Sequence, residues 1–111
     1  MVSLFFINAF NTMKKKVHKS CVEHGMWPED KTQRDVDTAI MEVYYELRKG
    51  LDGHALGLQD PRLPQFSVLE VELADAVIRI LDLAGGFDLR VAEALVAKHT
   101  ARRDAGRDAG K

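Results

Sequence analysis

Residues 67–88, SVLEVELADAVIRILDLAGGFD, decide the fold class. Ser67 followed by Glu70 matches a capping box, in which each side chain satisfies a free backbone donor of a helix's first turn. Leu69, Leu73, Val77, Ile80 and Ala84 then recur at steps of three and four, which reads as an amphipathic helix with this stripe toward a core. Gly85-Gly86 are the expected stop. Asp88 is expected to cap a further helix reaching about Arg103, with Val91, Leu95 and Val96 facing inward.

Toward the N-terminus the same period recurs. Leu4 to His24 carries Phe6, Phe10, Met13, Val17 and Cys21 on one stripe, and Gly25 and Pro28 end it. A second helix is expected from Arg34 to Lys49, with Val36, Ile40, Val43 and Leu47 inward and Gly50 just past its end. From Gly50 to Phe66, a stretch with Gly53, Gly57, Pro61 and Pro64, no period is visible, so a long loop is expected there. The expected fold is all-α: one domain over residues 1–103, a four-helix bundle with helices three and four as antiparallel neighbours, and a flexible tail over 104–111. The aromatic-rich N-terminus points to completion of the bundle by a partner subunit; a monomer with that segment folded back is the alternative.

Composition narrows the function. The chain has 111 residues, 46% hydrophobic and 30% charged, which suits one globular domain. Sixteen basic residues stand against 17 acidic ones, a net charge of −1, which argues against a nucleic-acid partner. Cys21 is the only cysteine, so no internal disulfide forms. The apolar run Val2–Phe10 is too short to span a bilayer, and Lys14, Lys15 and Lys16 follow it instead of preceding it. No membrane association and a cytoplasmic location are therefore expected.

Glu72, Asp75, Arg79 and Asp82 form a polar stripe on the third helix. Two acids at i and i+3 repel each other, and a divalent cation would remove that cost. The plainer alternative is a solvated face on which Arg79 pairs with Asp75 or Asp82. Glu42 and Glu46 offer a second acidic pair on the preceding helix, and facing helices that share carboxylates are a recurrent way to build a metal site.

The stretch Glu72–Ala84, ELADAVIRILDLA, resembles the third helix of MazG-like nucleotide pyrophosphohydrolases, in the all-α NTP pyrophosphatase superfamily. His18–Trp27 (HKSCVEHGMW), Arg48-Lys49-Gly50 and Glu93–His99 (EALVAKH) agree in order and spacing, so the resemblance covers about Met13 to Arg103. It implies an enzyme: magnesium-dependent hydrolysis of a nucleoside triphosphate to a monophosphate and pyrophosphate, in a homodimer or homotetramer. It also implies Glu42, Glu72 and Asp75 as metal ligands and Lys98 as a phosphate contact; Glu46, one turn beyond Glu42, is expected to serve as an auxiliary acid or water-orienting base. Trp27 would cover the bundle end close to the nucleotide.

Two positions depart from the family pattern. The first Glu of its Glu-x-x-Glu falls on Ala39, and Ala101-Arg102 stand where a Tyr-Asn is usual. The alternative is thus a degenerate member that binds nucleotide or a protein partner without turnover; a plain helical interaction module is a third reading. A zinc site at His18, Cys21 and His24 lacks a fourth ligand. Tyr44 is expected in the core and Tyr45 at the surface, with Lys14–Lys16 on a solvated face.

Overall fold

A computed structural model describes residues 2–30 and 33–109. Four helices follow in order: α1 Val2–Glu23, α2 Gln33–Leu56, α3 Val68–Phe87 and α4 Val91–Ala109. The all-α expectation holds, and no described helix is long and apolar enough to cross a membrane.

α3 is the central element. The Ser67 capping box opens it as expected, with Glu70 N–H donating to Ser67 Oγ and Ser67 N–H donating back to Glu70 Oε1. α2 packs antiparallel along one side of α3, so that Gly53 meets Val68, Gly50 meets Glu72, and Glu42 meets Arg79. α1 packs on another side, with His18 against Asp82 and Lys14 near Leu89.

α4 departs from the expected arrangement. It packs on α1 and not alongside α3, through the fully buried Ala92 and a bond from Asn11 Nδ2 to Glu93 Oε2. Asp88 does not open α4. It ends α3 in the left-handed conformation (φ 52°) and donates its N–H to the Ala84 carbonyl, which turns the chain away. Lys14, expected on a solvated face, is buried beneath this turn with its ammonium 3.5 Å from the Leu89 carbonyl. The expected flexible tail is helical through Ala109, and residues 110–111 lie outside the described residues.

Two glycine-based boundaries also moved, for one physical reason. α2 runs through Gly50 and Gly53 and ends at Gly57 (φ 65°), where Leu58 N–H reaches the Gly53 carbonyl. A Cβ at Gly53 would lie 2.2 Å from Val68 Cγ1, so this glycine lets α2 and α3 touch backbone to side chain. Gly85 does the same for α1: its Cβ would lie 2.6 Å from His18 Cβ. The long loop shrinks to residues 57–67 and is tied down, with Asp60 accepting from the N–H groups of Arg62 and Leu63 and Val68 N–H donating to the Leu58 carbonyl.

The apolar stripes face the core only in part: Ala84 of the expected α3 stripe is fully buried, and other stripe residues are half-buried or exposed. Among the described residues the buried apolar side chains are Ala76, Leu81, Leu83, Ala84 and Ala92, while Glu46 and Glu72 are buried too. Leu73 and Val77 of α3, Ile40 and Leu47 of α2, and Leu95 of α4 are exposed. Tyr44, expected inside, is 64% exposed, next to Met41 at 63% and Tyr45 at 62%. α3 turns its polar stripe inward, where Lys49 meets Glu72, His18 and Trp27 meet Asp82, and Arg79 meets Glu42 and Glu46 of α2.

Gly53→Ala should cost about 2 kcal/mol through overpacking against Val68, more than the helix propensity gained. Urea denaturation measures it, and an unchanged or higher midpoint would mean the α2–α3 crossing is looser than described.

Candidate metal and nucleotide site

The antiparallel pairing of α2 and α3 sets Glu42 and Glu46, one turn apart, opposite Arg79 and Glu72. Glu46 is 2% exposed and Glu72 9%, so the α2–α3 seam buries two acids. Buried carboxylates need partners. Arg79 supplies one: its Nε donates to Glu46 Oε1 at 3.0 Å, and its Nη1 donates to Glu42 Oε2. Lys49 supplies the other, with its ammonium 3.0 Å from Glu46 Oε2 and 3.2 Å from Glu72 Oε2. Arg79 therefore pairs across the helix seam, and not with Asp75 or Asp82 on its own helix.

Glu46, Glu72 and Asp75 each offer a ligand atom, and these atoms all lie within 4.8 Å of one another. That is the spacing at which one cation bridges three carboxylates. The set differs from the expected one. Glu46 belongs to it, while Glu42 stands a turn away, half-exposed and committed to Arg79. Glu46 Oε2 and Glu72 Oε2 are both buried and accept no well-directed hydrogen bond, although Lys49 lies at ion-pair distance from each. Carboxylate oxygens held only by an ammonium are hard donors of the kind a divalent ion such as magnesium takes.

The charges distribute unevenly over the pair. Burial pushes the Glu46 carboxyl up, but bonds from Glu72, Lys49 and Arg79 outweigh it and hold Glu46 below the usual range. Burial, reinforced by Glu46, raises Glu72. The two carboxyls titrate as a pair. Burial works against the Arg79 charge, yet Glu46, Glu42 and Asp75 together raise its pKa. The Glu46 and Glu72 carboxylates beside it likewise raise Lys49.

Two cavities meet beside this cluster. One, of about 330 Å³, is lined by Met26, Trp27, Pro28, Thr38, Ala39 and Glu42 among others. The second, of about 290 Å³, holds Glu46, Lys49, Asp75 and Arg79. They share Met26 and Asp82, and the Arg79–Glu42 pair links their walls. Trp27 both covers the helix end and walls the first cavity. Its Nε1 donates to Asp82 at 2.9 Å, while its ring meets His18 edge-on at 5.1 Å and lies 5.9 Å from Phe87. Ala39, where the family pattern has a Glu, faces the same cavity as Glu42.

Other candidates separate. Lys98 is exposed on α4, the helix that packs on α1, and lines neither cavity. His18 Nδ1 is 2.8 Å from Asp82 Oδ1, whereas His24 bonds the Ser20 carbonyl of its own helix, so His18, Cys21 and His24 do not converge. Burial, with the Asp82 charge, pushes the Cys21 thiol up to about 11, so it is no nucleophile. Lys49 is the site residue that spacing did not single out, although its position three residues after Glu46 was a usable signal. The chain matches no protein family, curated protein or solved structure in comparison with known ones.

Glu46→Gln removes the charge that Arg79 and Lys49 share, and should cost about 2 kcal/mol at pH 7. The Glu46 pKa is depressed on folding, so its contribution is present above the unfolded value and is lost as pH falls through the folded one. The gap between wild type and variant in chemical denaturation should close in acid; a gap that stays constant from pH 7 to pH 3 would contradict the ion-pair account.

Proposed function

We propose that this protein is a magnesium-dependent nucleotide pyrophosphohydrolase of the MazG-like type, cleaving nucleoside triphosphates to monophosphate and pyrophosphate in the cytoplasm. The observation that carries the reading is that Glu46, Glu72 and Asp75, from two helices, bring carboxylate oxygens within 4.8 Å of one another, two of them buried and met only by the Lys49 ammonium. The order of motifs along the chain supports it independently.

In this reading Glu46, Glu72 and Asp75 hold the ion, which when bound neutralises phosphate charge and makes a bound water more acidic. Arg79 fixes the geometry by holding Glu46 at one oxygen and Glu42 at another. Glu42, half-exposed on the wall of the first cavity, is the carboxylate placed to accept a proton from an attacking water. Trp27, Met26 and Pro28 give that cavity an apolar side suited to a nucleobase. The roles of Glu42 and Glu46 are thus exchanged relative to the motif pattern.

The alternative, a relative that binds nucleotide or a protein partner without turnover, is favoured by Ala39 in the first cavity. Release of pyrophosphate from a panel of NTPs and dNTPs, with and without magnesium, separates the two. Glu72→Gln should abolish release while the helical fold is retained by circular dichroism, because the amide keeps the size of the buried side chain. Full activity in that variant would remove Glu72 from the site.

The same reading includes a homo-oligomer. A compact chain of this length has a radius of gyration of about 13 Å; this protomer measures 16.6 Å. Met41, Tyr44, Leu51, Leu73 and Val77 leave an apolar surface on α2 and α3 that a second copy would cover. Sedimentation equilibrium should give at least twice the 12.5 kDa chain mass, and Val77→Lys should reduce it. A wild-type mass of one chain would refute the oligomer.

A further inference from the structure

The two cations of the site are not equivalent. Arg79 holds Glu46 through Oε1 and reaches out to Glu42, so it leaves Oε2 of Glu46 and Oε2 of Glu72 untouched. Lys49 stands at those two oxygens, 3.0 and 3.2 Å away, off the directions a good hydrogen bond needs. They are the same buried atoms that the ion of the proposed reaction would take. An ammonium is a compact point charge on a flexible stem, unlike the planar fork of a guanidinium. The Lys49 side chain is 40% exposed, and its ammonium already lies 5.0 Å from the centre of the exposed Tyr45 ring. The lysine therefore has a place to go.

We infer that Lys49 is a tethered counter-cation, seated between Glu46 and Glu72 where a divalent ion binds, and expelled toward Tyr45 when that ion arrives. The inference rests on the metal reading above. While seated, Lys49 offsets the repulsion between two buried acids and keeps the α2–α3 seam closed without metal. Seating and ion binding exclude each other, so the apparent ion affinity is reduced by the fraction of time the lysine is out. Once expelled, the ammonium remains at the wall of the second cavity, a positive charge beside the place where polyphosphate would meet the ion.

Two measurements on the full-length protein test this. Manganese binding, followed by electron paramagnetic resonance, should tighten about tenfold or more in Lys49→Met. Arg79→Met should not tighten it, because Arg79 orients Glu46 without occupying the ion's place. Tightening of equal size in both variants would mean that Lys49 acts only through its general field, and would overturn the inference. In wild type, magnesium should accelerate acylation of the Lys49 amine, read by mass spectrometry, while leaving the exposed Lys98 unchanged. This arm stands even where a variant fails to fold, and an unchanged Lys49 rate at saturating ion overturns the displacement. Binding by Lys49→Met but not by wild type would support it, with the lysine as the resident cation. No binding by either would sink the metal reading itself, and the inference with it.

Discussion

Two carboxylates, Glu46 and Glu72, lie buried between α2 and α3, and the pairing of these two helices depends on how that charge is held. Placing acids in a helix seam is costly unless cations and hydrogen-bond donors accompany them. Arg79 and Lys49 meet that demand, one from each helix, and in doing so fix α2 and α3 in an antiparallel register. The acidic stripe of α3 turns inward toward its partners, so the apolar residues on its other side turn outward.

That inversion explains the small apolar interior. Three alanines and two leucines are the buried apolar residues described, whereas leucines, valines, tyrosines and three methionines stand on the surface. A protomer built this way has a polar seam where most small domains have a hydrophobic one. Many of its larger apolar side chains are left at the surface of the chain.

Glycines carry a second lesson. Gly50 and Gly85-Gly86 each follow a helical stripe and look like terminators, yet α2 and α3 run through them. At these positions a missing Cβ admits a neighbouring helix instead of a left-handed turn. The real ends fall at Gly57 and at Asp88, a residue type that, with Asn and His, enters positive φ more readily than other non-glycine residues. Local sequence could not separate the two uses, because the distinction lies in what packs opposite.

Periodicity and capping determined the helical class, the start of α3 at Ser67 and the end of α1 at Gly25, since these depend on contacts within a few residues. Glu72, Asp75 and Glu46 were legible as an acidic set on two helices. The tertiary structure decided which of them meet: Glu46 joined the cluster, and Glu42 was claimed by Arg79. It also decided that α4 lies on α1, and that Lys49 sits between two acids. The reason is physical. A helical repeat specifies which residues share a face, but the direction that face takes is set by the strongest pairing available across the seam, and here charge pairing outweighed the apolar stripe.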